Sequence, residues 1–131
     1  MDKKYLSKII ATDNEGLQVI SACCSGAEVK VNEIKYLQKN KVFLLSLKRS
    51  KVETEEQDKK IISICKFEFV DRVKSKNIKQ NDPEEKLELI GMDYLKNNDN
   101  YEINLMFINN AYITLSTEII EVTLDDQNKA D

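Results

Sequence analysis

The chain contains no histidine and no tryptophan, and only one proline, three glycines and three cysteines among its 131 residues. Each shortage excludes something. Without histidine there is no Ser-His or Cys-His nucleophile pair, no imidazole metal ligand and no ordinary side chain that titrates near neutrality. The glycines at 16, 26 and 91 stand alone, which excludes a glycine-rich loop around a phosphate. Three cysteines are an odd count, and Cys23 and Cys24 are neighbours rather than a Cys-x-x-Cys pair whose thiolates converge on one ion. Neither a disulfide scaffold nor a metal knuckle is expected, and Cys23, Cys24 and Cys65 read as small core residues. The start, MDKKYLSKIIATDNEG, has no apolar stretch of signal-peptide length, and no later run reaches the roughly 18 apolar residues of a membrane span. The expectation is a cytoplasmic protein with no membrane segment.

What is present fits a globular domain with a lean aliphatic core. Charged residues make up 33% and hydrophobic residues 41% of the chain, a balance that can support both a core and a solvated surface. The length predicts a single domain over 1–131, with a frayed polar tail over 126–131. A net charge of -3 argues against general nucleic-acid binding, which draws its affinity from many phosphate contacts, so no DNA partner is expected. The acidic pairs Glu84-Glu85 and Asp125-Asp126 lack the spacing of a calcium loop and read as solvated surface. No metal, cofactor or catalytic residue is expected.

Periodicity divides the chain into one helix and many strands. Thr12 and Glu15 have capping-box spacing, and Leu17, Ile20 and Cys24 follow on one face, predicting a helix over 13–24 ended by Gly26. The stretch Ala27 to Arg49 then reads as two or three strands, with turns at Asn32-Glu33 and Lys39-Asn40, and forms the nucleus that the helix covers. Residues 60–78 predict a second long strand region with a break near Val70. Strands follow over 87–92, 101–108 and 111–117, the last two joined as a hairpin at Asn109-Asn110. The alternation over Ile120, Val122 and Leu124 is one residue out of step with Ile113 and Leu115, which predicts a further bulge. Lys3 to Ala11 predicts a short entering strand.

Three stretches carry a resemblance: Ile10-Ala11 through Asp13–Ala22, Tyr36-Leu37 to Phe43, and Phe67-x-x-Val70-x-x-Val73 to Ile78. They resemble an alphaproteobacterial family of uncharacterised small proteins, a domain-of-unknown-function family, over nearly the whole chain. The resemblance implies no activity, substrate or cofactor. The chain departs from the expected pattern at Ala22–Ala27 and Lys48–Glu53, where a histidine, an aspartate and a tryptophan expected from the family are missing.

The fold expectation is α+β: one N-terminal helix packed on a strongly bent, mainly antiparallel sheet of seven to nine strands or a barrel-like roll, in the general style of pleckstrin-homology folds. The candidate anion- or partner-binding residues are Lys48, Arg49 and Lys51 at the end of one strand, and Arg72, Lys74 and Lys76 on one face of another. If those strands are neighbours, the two sets converge. The leading functional expectation is a non-catalytic binding or accessory module for a protein partner or small anionic ligand. Its alternative is a small enzyme acting on an anionic metabolite through Lys, Asp, Glu or Tyr. A homodimer through sheet edges or faces is a secondary expectation.

Overall fold

A computed structural model describes residues 8–50, 60–79 and 81–129. Its strands are β1 (Lys8–Ala11), β2 (Glu28–Lys30), β3 (Ile34–Leu37), β4 (Val42–Ser50), β5 (Lys60–Phe67), β6 (Val70–Lys76), β7 (Lys86–Asn97), β8 (Asn100–Phe107), β9 (Ala111–Thr117) and β10 (Val122–Lys129), with α1 (Asn14–Cys24) between β1 and β2. The strands form one ten-stranded sheet in the order β1-β10-β5-β4-β2-β7-β8-β9-β6, with β3 attached to β4. Every pairing is antiparallel. The sheet is not closed: β1 and β6 are its two ends, so the α+β expectation stands as an open bent sheet.

Helix α1 begins where Asp13 accepts a hydrogen bond from the Gly16 amide at 2.8 Å. The cap is therefore Asp13 and not Thr12, and Gly16 at the third helical position has no side chain to complete a capping box. Leu17, Ile20, Cys23 and Cys24 are buried at the helical spacing. Beyond the helix, Gly26 takes φ +85, the left-handed turn for which glycine carries no Cβ penalty.

The helix was expected to lie over the 27–49 hairpins, but it packs chiefly on β7 and β1. The reason is the short β2, which pairs with β7 only from Glu28 to Lys30. Past that point the exposed edge of β7 meets the helix and its exit turn. Gly26 N–H donates to the Leu89 carbonyl at 2.7 Å and Leu89 N–H to Ala27 at 2.9 Å. Next along the strand, the Met92 amide donates to Ser21 Oγ at 2.8 Å. A helix side chain thus takes over where a neighbouring strand stops, satisfying backbone groups that would otherwise be buried without partners.

The expected turns at Asn32-Glu33 and Lys39-Asn40 are 3-10 turns over Val31–Glu33 and Gln38–Asn40. The expected hairpin at Asn109-Asn110 is the β8–β9 turn, where both asparagines have positive φ (65 and 58). Asparagine tolerates that region better than most side chains, and such turns match the twist of paired strands. The break near Val70 is a corner in which Phe69 takes φ 60. The slip before Val122 is not a bulge within one strand. It is the connection of residues 118–121 by which the chain returns from β9 to β10. The two crossings lie side by side, with Glu118 N–H donating to the Phe69 carbonyl at 3.3 Å and Glu68 N–H to that of Glu121 at 3.0 Å.

The core lies between the bent sheet and α1. It includes Phe43, Leu45, Leu47, Phe67, Leu89, Leu105, Phe107, Leu115 and Val122, each at or near zero exposure. Phe43 and Phe67 are cross-strand partners with ring centroids 6.0 Å apart, within the range of favourable aromatic pairs. Cys23, Cys24 and Cys65 are free thiols buried in this core.

Candidate functional site

The basic residues divide by strand parity. Lys48 and Arg49 are successive residues of β4 and so face opposite sides of the sheet. Lys48 is on the outer side, opposite Glu28 and Ile62. Arg49 shares its side with Phe43, Leu45 and Leu47 and is 1% exposed. Its Nε donates to Ser63 Oγ at 3.0 Å and its Nη2 to Asp126 Oδ1 at 3.0 Å. Ser63 Oγ in turn donates to the same carboxylate oxygen at 2.7 Å. Nη1 reaches the Cys23 carbonyl in the last turn of α1 at 3.4 Å, where the helix dipole favours a cation. Arg49 is therefore held in a buried ion pair on the core side of the sheet and is not on the surface with Lys48. Lys51 lies outside the described residues.

Expected as solvated surface at the start of a frayed tail, Asp126 is buried in β10, one position beyond Leu124 on the core side. Parity carried the signal: Arg49 continues the inward series 43-45-47, and Asp126 continues 122-124. Two opposite charges, each in phase with a core face, point to a buried pair.

Arg72, Lys74 and Lys76 remain on the surface. They project from the outer side of β6, while Val73 between them packs against the core. Strand β6 pairs only with β9 among the described residues, through Arg72↔Ser116, Lys74↔Thr114 and Lys76↔Tyr112. Strands β2, β7, β8 and β9 separate it from β4 in the sheet, so strand adjacency does not bring the two basic sets together. Among the described residues none of the three cations forms an ion pair, whereas Lys30, Lys41, Lys66 and Lys86 each meet a carboxylate within 4.0 Å. At the head of β6, Lys41 Nζ lies 3.1 Å from Asp71. That hydrogen bond and charge raise the Lys41 pKa, with a smaller push from Glu118.

The outer face beside β6 is polar and ordered. Thr114 Oγ1 donates to Asn104 Oδ1 at 2.9 Å, and Asn104 Nδ2 donates to Asp93 Oδ1 at 3.1 Å. This ladder continues the row that Lys74 begins. The row of Lys76 is more apolar, running through Tyr112 and Met106 to the bulge at Ile90-Gly91. Arg72 borders a shallow cleft of about 250 Å³ shared with Tyr101, Ser116 and the Asn97–Asn100 turn. A second cleft of about 320 Å³ crosses β1, β10 and β5 between Lys8, Lys66 and Asp125. Its Lys66 is already paired to Glu68 at 3.2 Å.

The remaining chemistry-bearing groups are structural. Burial pushes the Cys65 thiol well up, and the neighbouring Cys24 thiol adds to the effect, the opposite of what a nucleophilic cysteine needs. Among the described residues no three Cys, Asp or Glu side chains gather as a metal-ligand set. Among the same residues no helix is long and apolar enough to cross a membrane.

An open antiparallel sheet packed against one helix defines an α+β protein. The chain belongs to the family described as "Protein of unknown function (DUF2948)", whose model matches residues 7–131. No curated protein and no solved structure matches it.

Proposed function

We propose that the protein is a non-catalytic cytoplasmic binding module that holds an acidic protein partner at β6 and the adjoining outer face of β9 and β8. The observation that carries this reading is the column Arg72, Lys74 and Lys76: three cations that form no ion pair among the described residues, on an edge strand of a net-acidic protein. Cations on an edge strand guard against indiscriminate strand pairing. They also attract a complementary acidic surface and orient its approach. The hydrogen-bonded row of Thr114, Asn104 and Asp93 holds the face next to them in a fixed arrangement, which lowers the ordering cost of binding.

The test is affinity capture from native cytoplasm with the wild-type protein and with the triple variant Arg72→Glu/Lys74→Glu/Lys76→Glu. The expected result is a salt-sensitive acidic protein retained by the wild type and lost from the variant, both proteins having the same circular dichroism. Retention of the same proteins by both would overturn the reading.

A further inference from the structure

We infer that the acidic partner is a second copy of this chain, docked face to face on the outer side of the sheet; the inference rests on the binding role proposed above and names its partner. The strand registers set the outer side chains of β6, β9, β8 and β7 in three rows. One row runs Arg72, Ser116, Glu102, Leu95, and the middle row runs Lys74, Thr114, Asn104, Asp93. The third runs from Lys76 through Tyr112 and Met106 to the Ile90-Gly91 bulge. Cations thus stand on β6 and carboxylates two and three strands away, at about 10 and 14 Å for a strand spacing of ~4.8 Å. Exposed apolar side chains share the face: Leu95 is 58%, Ile90 53% and Tyr112 38% exposed. The water-facing side of an antiparallel sheet is ordinarily polar, and large apolar groups gathered on it mark a surface that meets another protein.

Two such faces fit when one is turned over about a two-fold axis parallel to the strands and midway between β9 and β8. That operation lays β6 of each copy over β7 of the other, and β9 over β8. Lys74 then meets the second copy's Asp93, and Asp93 its Lys74, so the middle row closes with two ion pairs. In the first row Arg72 comes over Leu95 and beside Glu102 of the second copy. In the third, Tyr112 comes over Met106, a favourable thioether-aromatic contact, while Lys76 lays its aliphatic stem along Ile90 and keeps its ammonium in water. Aligned sheets pack in this manner, ~10 Å apart with strands within about 30° of one another. A two-fold axis along the rows instead sets Lys74 against Lys74 and Arg72 against Lys76, a repulsion that disfavours it. A nucleic acid laid across the face meets Glu102 and Asp93, which repel phosphate. The grid covers roughly 400 Å² of sheet per copy, at the small end of specific interfaces, so dissociation in the micromolar range is expected.

The test is sedimentation equilibrium of the whole protein from ~1 to ~200 µM, beside Lys74→Asp, Asp93→Lys and an equimolar mixture of the two variants. The wild type is expected to pass from monomer to dimer. Each single variant is expected to dimerise at least ~10-fold more weakly, because both symmetry-related contacts then oppose like charges. In the mixture, a copy with carboxylates at both positions meets one with ammonium groups at both, so the heterodimer should form about as tightly as the wild-type dimer. Such a recovery cannot come from variants that have lost their fold. A dimer equally tight in both single variants, or a mixture that stays monomeric while each variant keeps wild-type circular dichroism, would overturn the inference. A wild type that stays monomeric yet retains an acidic protein through Arg72, Lys74 and Lys76 would overturn the second copy alone and leave the acidic-partner reading in place. A monomer that retains no such protein would overturn both.

Discussion

Asp126 accepts a hydrogen bond from Nη2 of Arg49 at 3.0 Å, in a site where 1% of the arginine side chain and none of the aspartate side chain meets solvent. Removing one partner takes from the other the opposite charge that it is hydrogen-bonded to in the core. Asp126→Ala is expected to destabilise the protein by about 3–5 kcal/mol. Replacing both by apolar residues, as in Arg49→Met/Asp126→Leu, should recover most of that loss. Urea denaturation of the single and double variants checks this. A single variant within ~1 kcal/mol of wild type would refute the pair's importance.

At the start of α1, the cap assignment separates two adjacent residues. Asp13→Ala is expected to cost about 1 kcal/mol, the typical price of losing an N-cap. Thr12→Ala should stay within about 0.5 kcal/mol of wild type, as for most surface changes. The reverse order in thermal unfolding would return the cap to Thr12.

Gly16 is held by close packing. A Cβ added there would lie 2.9 Å from Ala11 Cβ and 3.0 Å from Ala11 Cα, and the backbone of β1 cannot swing aside as a flexible side chain does. Gly16→Ala is therefore expected to lower stability by about 1–3 kcal/mol through overpacking. That outweighs the ~1 kcal/mol by which alanine ordinarily favours a helix. A rise in melting temperature would show that β1 yields.

Cys65 gives stability a dependence on alkaline pH. Its thiol is held neutral in the folded protein, while in the unfolded chain it ionises near the ordinary value of ~8.5. Above that value the unfolded state binds fewer protons than the folded one, so stability falls as pH rises, by up to ~1.4 kcal/mol per unit for one group. Below it the contribution is flat. Cys65→Ala should flatten the alkaline limb relative to wild type, measured by urea midpoints across the range. Equal slopes would assign the limb to other groups.

Local periodicity made several elements legible. The spacing of Leu17, Ile20 and Cys24 located α1, the Asn109-Asn110 turn located the β8–β9 hairpin, and the lost alternation at Val70 located the corner between β5 and β6. The hidden features are those that depend on distant segments. Nothing near Val122 says that β10 inserts between β1 and β5, so the polar run Asp125-Asp126-Gln127 read as a tail. Once Asp126 is placed beside Ser63, its burial follows from parity with Leu124. The basic set divided for the same reason: neighbouring positions in a strand face opposite sides, so Lys48 and Arg49 could not share a surface. That β4 and β6 are not neighbours in the sheet is a matter of strand order, which no local pattern encodes.

The strand order has a consequence for the nascent chain. Strands β6, β7, β8 and β9 are consecutive in sequence and, among the described residues, form strand pairs only with one another and with β2, so this block can assemble as soon as residue 117 has left the ribosome. The other block cannot. Its β1 and β5 face an empty lane until β10 emerges, and throughout that interval Arg49 waits without the carboxylate it will be buried with. A ribosome paused before residue 126 should hold half a sheet folded and half accessible to protease, with the final strand acting as the latch that commits the whole molecule.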